Sequence, residues 1–342
     1  MKKLYSILAF VVIVSMLLVS CQTEVPVAPP ATPVPATEVP VVEKTNLELQ
    51  EGLPFRFISC NRQHPVVQTM AMGFFDACED LGVECIDNSF DGVDLTQMDT
   101  MADLAISQGS SGAIPFIDAA VYAADQKIVD AGIPSISIHT PVEEGVIPGL
   151  LGWVAADSVD YAVRSANFLG EAMGGKGVVA VTQFSLNDLE NVVVEEFTKE
   201  MNAKYPDIVV LPPEMEGGDQ PQAIAVATAV LQAHPEVTAA FGTTGNSPVT
   251  WAKAAQAVGK APGEILIMGM DYTRQNLDLV KNGEVLALVG QPLYEELYRA
   301  VELLVANLRG EPVEYENIYP APIITIDDVD KYYEYADRIV EE

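Results

Sequence analysis

The chain has 342 residues, with 49 acidic against 18 basic side chains, a formal net charge of −31 and 49% hydrophobic residues. So large an excess of negative charge excludes nucleic acid and anionic lipid surfaces as partners, while the length allows one large or two ordinary hydrophobic cores. Four cysteines and three histidines without a CxxC spacing give no zinc motif.

In chain order, residues 1–20, MKKLYSILAFVVIVSMLLVS, carry two lysines, an apolar run and no acid, which is the make-up of a secretory signal. The run is short for a membrane span. It ends in Leu18-Val19-Ser20-Cys21, which resembles the bacterial lipobox. That resemblance implies cleavage before Cys21, lipidation of Cys21, and an extracytoplasmic protein held to the bacterial cell membrane by its lipid alone. Loss of Lys2 and Lys3 takes the net charge from −31 to −33. Residues 21–52 then form a Pro-rich linker, with six prolines between Pro26 and Pro40, a semi-rigid tether reaching about 3.1 Å per residue.

From residue 53 short β-branched runs alternate with amphipathic segments. The spacing predicts strands at 55–59 (FRFIS), 83–87 (VECID), 112–116 (GAIPF) and 134–138 (PSISI), with helices at about 66–81, 95–108 and 119–131. Gly82, Gly109 and Gly132 stand where those helices should stop. A second series follows, with strands at 177–182, 207–211, 237–242, 264–269 and 285–290. Its helices are predicted at 157–173, 188–204 and 220–233, then up to Val258 and up to Lys281, with a last helix from near Asp327. Alternation of this kind means parallel sheets covered by helices on both faces. Two doubly wound α/β lobes fit the count of strands better than an eight-unit barrel. Cys60, Cys78 and Cys85 lie in or beside apolar segments, so buried unpaired thiols are expected in preference to one disulfide and a free thiol.

In open α/β sheets a ligand lies outside the carboxyl ends of the strands. Those ends carry His64 in FISCNRQHP (57–65), Phe116, Asp118, His139-Thr140, Phe184-Ser185, Thr244, Asp271 and Gln291. Histidines at two strand ends of the first lobe can donate to and accept from a hydroxyl or carbonyl. Asp271 is also placed to cap a following helix. A metal site built from His64, His139 and Asp271 would share no short ligand motif. His234, in a His-Pro-Glu turn, is given no function.

The order of these pieces resembles the type I periplasmic binding proteins of ABC importers, most closely the ribose-binding, sugar-recognising branch. The resemblance rests on 132–134 (GIP), 155–157 (AAD), 234–237 (HPEV), 269–273 (GMDYT) and 290–294 (GQPLY), and covers about residues 55–326. It implies two doubly wound parallel-sheet lobes, 53–156 plus 292–320 and 157–291 plus 321–342, joined by a three-stranded hinge near Ala156, Gln291 and Pro320. It also implies a monomer that takes a solute in the cleft. Carried across, Asp271 and Gln291 match an aspartate and a glutamine that bind sugar hydroxyls. His64, His139-Thr140, Asn191 and Thr244 replace polar residues of the ribose binder, and Val66, Val67 and Gly218 replace its stacking phenylalanines. Aromatic replacements are expected from Phe184 first, then from Phe116, Tyr272 or Trp153.

No phosphate loop, nucleophile elbow, HExxH helix or dinucleotide fingerprint is present, so neither an enzyme nor a bound cofactor is expected; carboxylates such as Asp271 with Asp118 would have to carry any catalysis. The expected function is capture of a small solute, a sugar or polyol in preference to a nucleoside, and its delivery to an ABC permease. The expected contacts are His64, Phe116, His139, Phe184, Asn191, Thr244, Asp271 and Gln291. A sensor lipoprotein presenting its closed form to a chemoreceptor or sensor kinase would use the same cleft, and neighbouring permease and ATPase genes would separate the two.

Overall fold

The computed structural model describes residues 53–340 apart from 117, 186 and 187. The expected signal segment, Cys21 and the Pro-rich tether lie outside the described residues. Strands β1 (Phe55–Ile58), β2 (Cys85–Asp87), β3 (Gly112–Pro115), β4 (Ile136–Ile138) and β5 (Gly152–Ala156) alternate with helices α1 (Pro65–Leu81), α2 (Gln97–Gln108) and α3 (Tyr122–Asp130). The chain continues with α4 (Ser158–Ala172), β6 (Lys176–Gln183), α5 (Asp188–Lys204), β7 (Asp207–Val210), β8 (Glu214–Met215) and α6 (Gln220–Ala233). It then runs through β9 (Ala239–Gly242), α7 (Ser247–Ala257), β10 (Leu266–Met270), α8 (Arg274–Lys281), β11 (Ala287–Val289) and α9 (Leu293–Leu308). The last elements are β12 (Glu316–Tyr319), β13 (Ile323–Ile324) and α10 (Tyr333–Val340).

Two sheets result. The first is parallel and runs β2-β1-β3, continues to β4 through bridges at Ala113–Ser135 and Phe116–Ile138, and ends β4-β5-β12. The second runs β13-β11-β10-β9-β6-β7, with β8 beside β6, and only β13 is antiparallel. Period-2 burial on both faces explains the continuous apolar strands. Phe57 and Ile114 face α1 and α9, whereas Ile58 and Ala113 face α2 and α3. In the second sheet Val179 and Val181 enter one core and Ala180 the other. The chain passes between the sheets after β5, after β11 and after β12.

Several features differ from the sequence-based expectation, which also lacks the strands β5, β8, β12 and β13. Cys78 and Cys85 are joined in a disulfide with Cα atoms 6.2 Å apart, and among the described residues Cys60 is the free cysteine. The left-handed Gly82 (φ 68°) ends α1 and turns the chain back, which brings β2 beside the helix terminus; an apolar setting is compatible with either redox state, so composition misled. The last helix begins at Tyr333, after a 3-10 turn at Val329–Lys331, and not near Asp327. Helix α9, unread in the sequence, packs along α1 so closely that a Cβ on Gly73 would collide with the carbonyl oxygen of Tyr294.

Helix α10 ties the two lobes together. Its Ala336 is buried in the core under the second sheet. Its Arg338 donates to both carboxylate oxygens of Asp76 on α1, at 2.8 and 2.7 Å, and the ring of Tyr335 meets that of Tyr294 edge-on at 5.4 Å. Among the described residues, no helix is long and apolar enough to cross a membrane.

Candidate ligand cavity between the two sheets

A cavity of about 280 Å³ opens at the carboxyl ends of strands from both sheets, at the lower edge of the range of about 300–1,000 Å³ usual for small-molecule sites. From the first sheet come Phe116, just past β3, and His139, just past β4; from the second come Phe184 after β6, Thr243 after β9 and Gln291 after β11. The strand ends are where backbone hydrogen bonding of the sheet stops and side chains are released to a ligand.

Each position has a local cause. The Phe116 N–H donates to Ile58 O at 2.9 Å, which carries the ladder one residue beyond the strand. His139 adopts the left-handed conformation (φ 72°) and its N–H donates to Val154 O. This kink lays the imidazole against the Phe116 ring, with centroids 5.6 Å apart and planes 29° apart. Its Nδ1 lies 3.3 Å from Oε2 of Glu296 on α9, a carboxylate with no exposed side-chain surface. Phe184 is held by its N–H donating to Oε2 of Glu190 at 2.6 Å. Gly218 makes room for the Phe184 ring, since a Cβ there would stand 3.2 Å from its Cε2.

Asp271 is 2% exposed, left-handed (φ 66°), and its Oδ1 has no hydrogen-bond partner. It sits behind the cavity wall and not in it. Burial pushes its carboxyl up to about 7, with His139 opposing and Glu296 adding to the rise. Burial likewise raises Glu296, against the attraction of His139. For His139 burial works downward, but the Coulombic pull and hydrogen bond of Glu296, with Asp271 and Glu190 nearby, raise it overall. Tyr161, on the cavity wall, is raised by burial and shares a hydrogen bond with Gln291. The result is an acid-rich layer beneath the cavity with one imidazole set into it.

Of the eight residues expected at the ligand, Phe116, His139, Phe184 and Gln291 line this cavity. The other four are placed elsewhere. His64 caps α1, its Nδ1 accepting from Val66 N at 3.3 Å, and it hydrogen-bonds Asn246 where α1 meets the entry to α7; burial lowers its pKa. Asn191 is exposed and accepts from Gln183 Nε2 at 3.0 Å, while its neighbour Glu190 lines the cavity. The Thr244 hydroxyl donates to the buried Glu216, leaving Thr243 on the wall. Trp153 is buried in a separate core with Val142 and Ile147, and Tyr272 packs on Tyr332. Sequence reasoning missed Glu190, Glu296 and Tyr161. The signal for Glu296 was available: it interrupts an apolar stripe of Leu293, Leu297, Ala300, Val301 and Leu304 at helical spacing. Among the described residues, no group of three or more His, Cys, Asp or Glu could hold a metal ion.

Comparison with known proteins agrees with this architecture. Residues 55–312 match the family model described as periplasmic binding protein domain. A xylitol-binding protein of Mycolicibacterium smegmatis is 24% identical over 206 residues, 60% of this chain, which spans 58% of that relative's length. A sugar-binding protein of a Bacillus halodurans sugar ABC transporter superposes with a TM-score of 0.76 at 22% identity, covering 82% of this chain and 100% of the other. An ABC transporter solute-binding protein from Agrobacterium vitis, bound to α-D-tagatopyranose, does so with a TM-score of 0.76 at 23% identity, covering 81% and 96%.

Proposed function

The chain belongs to the periplasmic binding protein family, and from that premise we propose that it is an extracytoplasmic solute-binding lipoprotein, not an enzyme, which captures a sugar or polyol and delivers it to an ABC permease. The observation that carries the reading is a cavity walled by strand ends of both sheets, Phe116 and His139 opposite Phe184 and Gln291. A solute there touches both lobes at once, so its binding energy favours the closed arrangement.

The lobes in this reading are 53–156 plus 292–320 and 157–291 plus 321–342, hinged where the chain passes between the sheets. Aromatic faces at Phe116 and Phe184 suit the C–H surfaces of a sugar ring or polyol chain, and Gln291, Thr243 and His139 suit its hydroxyls. The xylitol and tagatopyranose ligands of similar proteins support the class. The Cys78–Cys85 disulfide supports an oxidising compartment outside the cytoplasm, consistent with the signal-like leader and with lipidation at Cys21.

The test is thermal unfolding of the mature protein against pentoses, hexoses, polyols, nucleosides and small acids. A ligand at 1,000 times its Kd adds about 4 kcal/mol of stability and a shift of several degrees. A hit among sugars or polyols that is lost in Gln291→Ala supports the reading, and hits confined to nucleosides or acids overturn the solute class.

A further inference from the structure

We propose that the solute is amphiphilic, a sugar or polyol of monosaccharide size with hydroxyls at one end and a deoxygenated or O-methylated carbon at the other; this deepens the solute-binding reading and rests on it. The order of strands in the two sheets sorts the cavity wall. In the first sheet, β2-β1-β3-β4, the lining residues run from Val93 and Leu95 past β2 and Cys60 past β1, through Phe116 past β3, to His139 and Thr140 past β4. In the second, β11-β10-β9-β6, they run from Gln291 past β11 and Thr243 past β9 to Phe184 past β6 and Leu189 on α5. The chain crosses between the sheets after β5, which pairs with β4, and after β11. Polar groups therefore gather at the crossings and apolar ones at the far end.

The polar end suits hydroxyls. Thr243 is 8% exposed and its Oγ1 has no hydrogen-bond partner among the described residues, a deficit that a solute hydroxyl removes. Tyr161, on the same wall, shares a hydrogen bond with Gln291, and Glu190 stands within electrostatic reach of both Tyr161 and His139. The far end suits something else. Val93 is 57% exposed, Leu95 and Cys60 are half-buried, and the Cys60 thiol, its proton affinity raised by burial, stays neutral and behaves as a small apolar group. Asp118, the charged residue of this stretch, turns Oδ1 to Ala120 N at 2.9 Å. A solute hydroxyl laid on Val93, Leu95 and Leu189 gives up its water without gaining a partner, which is costly. A methyl in the same place removes apolar surface of solute and wall from water together.

The experiment is calorimetric titration of the mature protein with pairs in which a hydroxymethyl becomes a methyl or a hydroxyl its methyl ether: D-galactose with D-fucose, L-mannose with L-rhamnose, D-glucose with D-quinovose, and myo-inositol with a mono-O-methyl ether of it. In a pair that binds, the methyl member should bind about tenfold more tightly. Val93→Thr, which keeps the shape of an exposed side chain and adds a hydroxyl, and Leu189→Gln should each erase most of that preference while melting temperature holds. Thr243→Val should weaken both members alike and leave the preference in place. Hydroxylated members that bind as tightly as their methyl partners, in every pair that binds, overturn the amphiphilic assignment and leave the sugar reading standing. A preference that survives both Val93→Thr and Leu189→Gln also overturns it, since the methyl then rests elsewhere. Silence of every pair overturns it too, and takes the sugar reading with it only if the broader solute panel is also silent.

Discussion

Nδ1 of His139, at the end of β4, stands 3.3 Å from Oε2 of Glu296, and Glu296 belongs to a helix some 157 residues further along the chain. The contact puts an ion pair under the cavity floor, where each partner makes the charge of the other tolerable. Both folded-state proton affinities are raised above their ordinary values. The folded state therefore holds protons that the unfolded chain releases, and the contribution is fully present below about pH 4.5 for the carboxyl and about pH 6.5 for the imidazole. It is lost as pH rises through the folded values. Glu296→Gln should lower the imidazole pKa, read by NMR titration, and Glu296→Ala should cost about 3–5 kcal/mol in denaturant unfolding. An imidazole that titrates unchanged in Glu296→Gln would sink this account.

Asp125, on α3, is 1% exposed and neither of its carboxylate oxygens has a hydrogen-bond partner. Burial pushes its carboxyl up to about 8. The unfolded group ionises near pH 4, so stability is lost as pH climbs from about 4 to about 8. Asp125→Asn should raise the denaturation midpoint at pH 8 and change it far less at pH 5. Equal effects at the two pH values would mean that the group is ionised in the fold.

The Cys78–Cys85 bridge closes a short loop with a sequence separation of 7, which in the chain-entropy account contributes about 2–3 kcal/mol. Reduction, or replacement of both cysteines by alanine, should lower the melting temperature by several degrees. Solute affinity should remain, because neither cysteine lines the cavity. Lost affinity in a folded variant would show that the bridge positions the first lobe's strand ends.

Gly73→Ala ought to stabilise a helix interior by roughly 0.5–1 kcal/mol on propensity alone. Here the added methyl meets the Tyr294 backbone, which cannot swing aside as a side chain can. We expect net destabilisation of about 1–3 kcal/mol from overpacking, measured by urea unfolding. A neutral or stabilising result would mean that α1 and α9 slide apart without cost.

The doubly wound pattern was legible because parallel strands buried on both faces leave continuous apolar runs such as 177–182, and turns after α1 and α2 are marked by glycine. The strand ends were legible for the same reason, which is how Phe116, His139, Phe184 and Gln291 could be named. What lay beyond reach was rotation about a helix axis. Glu190 and Asn191 are neighbours, yet about 100° apart on α5, and only packing decides that Glu190 faces the cavity. His64 has a local use, capping α1 through Nδ1, which a reading of strand ends cannot separate from a ligand contact. The burial of Glu296 was readable from the apolar stripe it interrupts, but its partner was not, because His139 lies 157 positions away and periodicity carries no information over that distance.

The contact of Phe184 with Gly218 has a bearing on how such a receptor can be retuned. One wall of the cavity is an aromatic ring backed by a residue without a side chain, so the room behind it is set from outside the cavity, while its backbone is anchored on Glu190. Adding a methyl at Gly218 would press the ring inward and favour slimmer cargo, while trimming Phe184 would widen the chamber toward the space that Gly218 keeps open. The size of the chamber can thus be adjusted at a position that is not among the cavity's lining residues.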